Sequence, residues 1–147
     1  MDRKQEKYQA YINILKEELI TATGCTEPIA LAYGAAKCRE VLGEIPDEVE
    51  VWASGSIIKN VKSVIVPNTG GMKGIRAAAA AGIIAGDASG ELEVIASVSE
   101  EEKERIKEYL ERTDIQVHAL ESDLTFDIVI EERKGSNHSR VRIANYH

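Results

Sequence analysis

Apolar positions recur along this chain at two spacings, about 3.6 residues in some stretches and about 2 in others, and each change of spacing marks a change of element. Over Lys4 to Thr21, the residues Tyr8, Tyr11, Ile12, Leu15 and Leu19 fall on one stripe, with Glu6, Lys7, Lys16 and Glu17 away from it. That pattern predicts an amphipathic helix. A second helix is predicted from about Pro28 to Leu42. Its first half, Ile29 to Ala36, is apolar all round, which predicts burial on several sides. Gly43 stops it and Pro46-Asp47 makes the turn. Glu48 to Ala53 alternates, with Val49, Val51 and Ala53 on one face, and predicts a strand that Ser54-Gly55-Ser56 breaks. Val64-Ile65-Val66 reads either as a short strand or as an extended approach to the loop Pro67-Asn68-Thr69-Gly70-Gly71. Lys73 to Ala85 then predicts an Ala-rich helix able to pack very closely, ended by Gly86 to Gly90.

The rest of the chain changes character. Ser99 and Glu102 match a capping box, so Glu100 to Arg112 is predicted as a charged surface helix with Ile106, Tyr109 and Leu110 inward. Three alternating segments follow: Ile115 to Leu120, Phe126 to Ile130, and Val141 to Ile143 opposite Arg140 and Arg142. Lys134-Gly135-Ser136-Asn137 joins the last two as a hairpin turn. One early strand, three late ones and helices grouped between them give an α+β order, not a repeating βα order. The expected fold is α+β, with helices around a small, mostly antiparallel sheet and a C-terminal β-hairpin. The expectation is a single domain over 1–147, helical to about residue 90 and helix plus strands from about 91.

Composition narrows the function classes. A net charge of -7, with no run rich in Lys or Arg, argues against a nucleic-acid partner. The longest charge-free apolar run, Ala77 to Gly86, is too short to span a bilayer, so no membrane partner is expected. The first residues, MDRKQEKYQ, lack the apolar stretch of a signal peptide. Cys25 and Cys38 are the two cysteines, and with no export signal they point to reduced thiols and a cytoplasmic protein.

Candidate chemistry centres on Thr23-Gly24-Cys25-Thr26-Glu27-Pro28. Pro28 suits a helix's first turn, and Thr26 can cap it. Cys25 would then face the positive end of a helix dipole, which favours a thiolate able to act as nucleophile, base or metal ligand. The same cysteine reads equally well as a small buried hydrophobe. Glu27 reads as a base or as a complement to the dipole. Cys38, inside the helix, reads as structural. The second candidate is Pro67 to Gly74. Asn68, Thr69, Gly70 and Gly71 precede a helix start that Lys73 makes more positive, and such a start binds phosphate or carboxylate. It is neither a Walker loop nor a G-x-G-x-x-G motif, and a structural turn for close helix packing is the competing reading. His118 falls on the polar face of its strand, His138 follows the hairpin turn, and His147 shares the face of Val141 and Ile143 if the last strand is regular.

Ala22-Thr23-Gly24-Cys25-Thr26-Glu27-Pro28-Ile29-Ala30 resembles the opening motif of the L-cysteine desulfidase family, related to the alpha subunit of iron–sulfur L-serine dehydratase. Pro67-Asn68-Thr69-Gly70 and the helix after it resemble that family's second motif, and the late hairpin with His138 and His147 also fits. The resemblance implies a lyase that eliminates sulfide from L-cysteine, or water from L-serine, to leave pyruvate and ammonia. It implies Cys25 and Glu27 as catalytic residues. It implies Thr26, Asn68, Thr69, Gly70, Gly71 and Lys73 as residues binding a small amino-acid substrate, with His138 and His147 as further candidates. It implies a [4Fe–4S] cluster held by three cysteines from a C-terminal part that this chain lacks. The chain then reads as the N-terminal portion of a longer enzyme, with no metal ligands of its own, inactive alone, partnered by the C-terminal remainder and a candidate homo-oligomer. The alternative is a non-catalytic small-molecule-binding or assembly domain that keeps the scaffold.

Overall fold

The computed structural model describes residues 27–122 and 126–144, and the helix expected over Lys4 to Thr21 lies outside them. The first described helix, α1 (Glu27–Leu42), is buried around most of its circumference at Ala30, Leu31, Ala32, Tyr33, Ala35 and Ala36, as its all-apolar first half predicts. Gly43 ends it at φ 86, a left-handed conformation that favours glycine, and donates its N–H to the Arg39 carbonyl at 2.8 Å. There follow β1 (Glu48–Ser54), α2 (Gly55–Val61), α3 (Gly74–Ala85), a 3-10 turn (Ala88–Glu93), α4 (Glu100–Arg112), β2 (Asp114–Leu120), β3 (Asp127–Lys134) and β4 (Asn137–Ala144).

The four strands form one mixed sheet in the order β2-β1-β3-β4. β1 pairs in parallel with β2, while β1–β3 and β3–β4 are antiparallel. The protein is therefore α+β with a C-terminal hairpin, and the hairpin turns between Lys134 and Asn137, which face each other in register. Period-2 alternation puts Val49, Val51, Ala53, Ile115, Ile128, Ile130, Val141 and Ile143 on one face, all buried. α1 lies against that face over β3 and β4, α3 packs on α1, and α4 packs on α3. The helical stretch to about residue 90 and the strand-rich stretch after it share this sheet, because β1 sits between β2 and β3.

Two local readings change, and the choice left open at Val64 to Val66 is decided for the extended approach to the loop. Ser54-Gly55-Ser56 does more than break a strand, because α2 begins at Gly55. Poor helix formers start it, and burial of Ile57 and Val61 one turn apart holds it. Val64 to Val66 joins no sheet. It forms one arm of a small pinched loop, with an isolated bridge between Ile65 and Lys73, the Val66 N–H donating to Met72 O at 2.8 Å and the Gly74 N–H to Val64 O at 3.2 Å. The stretch Gly86 to Gly90 is no simple terminator, since it runs into the 3-10 turn. The capping box is present as expected: Ser99 Oγ accepts from the Glu102 N–H at 3.1 Å and Glu102 Oε1 from the Ser99 N–H at 3.0 Å. Among the described residues no helix is long and apolar enough to cross a membrane.

Candidate functional site

The direction of two helices decides what the fold brings together. A methyl group at Gly82 of α3 would collide with the Ala32 carbonyl of α1, and one at Gly86 would lie 2.9 Å from the Ala36 methyl. Matching contacts one turn apart in both helices mean that α1 and α3 run the same way. Arg39 reinforces the match, donating from its two terminal nitrogens to Ile83 O at 3.0 Å and Gly86 O at 3.1 Å at the end of α3. Counting back about 1.5 Å per residue, Glu27 lies roughly 7.5 Å before the crossing and Gly74 roughly 12 Å before it. The start of α1 and the loop that opens α3 are thus at the same end of the pair, and their positive dipole ends point the same way.

The loop is held by its own polar side chains. Asn68 adopts φ 63 and donates its amide to Ile95 O at 2.8 Å. Thr69 is buried, donates its hydroxyl to Val66 O at 2.8 Å, and accepts from the Met72 N–H at 3.2 Å. Gly70 and Gly71 take φ 78 and 104, and a methyl at Gly71 would meet nothing within 4 Å, so the tip of the loop is uncovered. Gly74, at φ 93, starts α3, whose N-cap Lys73 makes no side-chain cap. No acid stands in the first turn of α3. Lys73 and Arg76 are exposed there, and neither is in an ion pair among the described residues.

One feature of this region was legible in the sequence and is missing from the candidate residues above. From Val51 to Gly86 there is no Asp or Glu, while Lys59, Lys62, Lys73 and Arg76 all fall there, in a chain of net charge -7. The fold gathers part of that stretch. The Lys62 carbonyl is 3.5 Å from where a Gly74 methyl would sit, and Lys103 of α4 lies 3.6 Å from the same position at Gly70. Lys73 and Arg76 are thus the exposed cations at the start of α3, while Lys103 beside Gly70 is paired with Glu100 at 2.8 Å.

Of the other candidates, Glu27 shares this end of the helix pair and the rest of the described ones lie elsewhere. Glu27 opens α1 as an acid in its first turn, while Cys25, Thr26 and His147 lie outside the described residues. His138 is exposed at the start of β4, opposite Arg133 in register and distant in sequence from the loop. His118 packs its ring 5.2 Å from that of Trp52, and its Nε2 stands 3.3 Å from Glu50 Oε2, at ion-pair distance without hydrogen-bond geometry. On the same outer sheet face Arg142 grips Asp127 with two bonds, at 3.0 and 2.7 Å. Cys38 is buried, contacts Ser139 Oγ at 3.0 Å, and has its thiol pushed well up by desolvation and then by the nearby Glu132 charge. Among the described residues no group of three His, Cys, Asp or Glu side chains could hold a metal ion.

Comparison with known proteins corrects the lyase reading. The chain is 58% identical over 147 residues to a UPF0597 protein of Desulfitobacterium hafniense, covering 100% of this chain and 34% of that relative. It is 49% identical over 140 residues to one of Lachnoclostridium phytofermentans (95% and 34%) and 38% identical over 141 residues to one of Shewanella baltica (96% and 33%). The chain spans about a third of the length of the curated relatives it matches. No family model matches it, and no solved structure matches it. These relatives carry the UPF0597 name, and none of them is named an L-cysteine desulfidase or L-serine dehydratase. The motif resemblance at Ala22 to Ala30 and Pro67 to Gly70 therefore does not make the chain part of an iron–sulfur lyase.

Proposed function

We propose that this chain binds a small carboxylate-bearing molecule of amino-acid size at the shared N-terminal end of α1 and α3. One observation carries the reading: α3 starts with Lys73 and Arg76 and no acid of its own, beside the start of a second helix that runs the same way and opens with Glu27. Helix starts ordinarily gather acids, because the free N–H groups there favour negative charge. Cations in that place are unfavourable until an external anion offsets them, and backbone N–H groups with an adjacent cation suit a carboxylate. The uncovered Gly71 leaves room for backbone approach, beside Gly70, whose one neighbour at its Cβ position is the flexible Lys103 side chain. In this reading Gly70, Gly71 and Lys73 contact the ligand, while Asn68 and Thr69 shape the loop. A cytoplasmic setting belongs to the same reading and is supported by Cys38, a free thiol in the core.

The test is calorimetric titration of the whole chain with L-amino acids and, separately, inorganic phosphate. Lys73→Ala and Arg76→Ala should each weaken binding about tenfold, a loss of about 1.4 kcal/mol. Both side chains are exposed, so the variants keep the fold. Absence of binding, or variants with wild-type affinity, overturns the reading. Phosphate binding without amino-acid binding changes the ligand class and keeps the site.

A further inference from the structure

Glu132 stands in a place where a carboxylate is not expected. It continues the inward row of β3 after Ile128 and Ile130, and its neighbours in register are Val49 of β1 and Ser139 of β4. It is 0% exposed, and neither carboxyl oxygen has a hydrogen-bond partner among the described residues. The polar groups around it bond elsewhere. Ser139 Oγ donates to Cys38 O at 2.8 Å, the Tyr109 hydroxyl to Pro46 O at 2.6 Å, and Arg39 to the two carbonyls at the end of α3. With the hydroxyl hydrogen of Ser139 used in that way, the single Cys38 thiol hydrogen has two acceptors within reach, Ser139 Oγ at 3.0 Å and Ile130 O at 3.5 Å. An ionised carboxylate here would have lost its water shell and gained no donor, which disfavours the charged form.

We propose that Glu132 is a proton-operated latch: as a neutral acid it lets α1 close on the β3–β4 hairpin, and its ionisation loosens that contact. Every element packed around it bears on the charge. From α1, Arg39 is the cation that favours ionisation and Cys38 is a thiol kept neutral by burial. From α4, Tyr109 is a phenol whose own proton is held tightly by burial and by the Glu132 charge. From β4 comes the uncharged Ser139, and from β1 the apolar Val49. On the strand itself Glu131 and Arg133 point to the other face, where they pair at 2.9 Å. Burial outweighs Arg39 and pushes the Glu132 carboxyl well above the usual carboxylate range.

The sign follows from linkage. A carboxyl whose proton is held more tightly in the folded state contributes stability that is complete below the ordinary carboxylate range. That contribution is lost as pH rises toward the folded value. Within that window the folding constant of the wild type should fall tenfold per pH unit, about 1.4 kcal/mol.

Denaturant unfolding of the wild-type chain and of Glu132→Gln, across pH 4 to 9, tests this. The amide mimics the neutral acid, so the variant should lack this one-proton slope, and parallel pH profiles for the two proteins would overturn the latch. A second measurement needs no variant. In protein labelled with 13C at the glutamate carboxyls and assigned through the backbone, Glu132 should stay protonated after the other glutamates have ionised. The methyl resonances of Ile130 and Ile143, which pack on Gly34 of α1, should shift with the same midpoint. A Glu132 signal titrating with the rest, or isoleucine methyls indifferent to its titration, sinks the proposal.

Discussion

At Gly82 the absence of a side chain is the contact. The α1 carbonyl at Ala32 occupies the space where a methyl would stand, and backbone cannot swing aside as a side chain can. Gly82→Ala should therefore lose about 1–3 kcal/mol by overpacking, against a gain of up to about 1 kcal/mol in helix propensity. Gly34→Ala offers the contrast. Its methyl would meet Ile130 Cδ1 at 2.8 Å and Ile143 Cδ1 at 3.0 Å, the mobile ends of two side chains. That variant should stay within about 1 kcal/mol of the wild type. Urea midpoints for the two decide it, and equal losses would contradict the distinction. Cys38 permits another check at this scale. Its burial and raised thiol proton affinity should leave it unalkylated by iodoacetamide in the native protein at pH 8 and labelled on unfolding, as read by mass spectrometry.

Among the elements, α4 was the most legible because its start is written locally. Ser99 and Glu102 satisfy each other's backbone, and Ile106 and Tyr109 are buried at helical spacing. Ser99→Ala should cost about 1 kcal/mol in thermal or urea unfolding, since it leaves the Glu102 N–H without its acceptor. A loss near zero would mean that water replaces the hydroxyl. The helix α2 was illegible for the opposite reason. Its opening Ser54-Gly55-Ser56 carries turn chemistry, and only the packed core that receives Ile57 and Val61 makes it helical. The burial of Glu132 was hidden in the same way. Glu131-Glu132-Arg133-Lys134 looks like a solvated run, yet the period-2 rhythm of Ile128 and Ile130 points position 132 inward. In β3 the backbone register overruled the charge.

For the molecule as a whole, element order was enough for the α+β class and the hairpin, because those rest on alternation and on turn residues. The parallel pairing of β1 with β2 was not readable, since it joins residues 48–54 to residues 114–120 and no local pattern announces so distant a partner. The candidate site shows the same division. The loop Asn68 to Lys73 was visible from its glycines, whereas its neighbour Lys103 arrives from α4 and depends on tertiary packing. The common direction of α1 and α3 could not be read at all, and it is what places two helix starts together.

The backbone contact between Ala32 and Gly82 also has a mechanical side. Most helix pairs meet through interleaved side chains that can change rotamer, so one helix can make a small slide on the other. Here, at the crossing, no such layer intervenes, and Arg39 ties the two helices again one turn further on. The pair should behave as a stiff double strut. A push at the start of α1 is then delivered to the far end of α3 as displacement of the whole strut instead of being absorbed between the two.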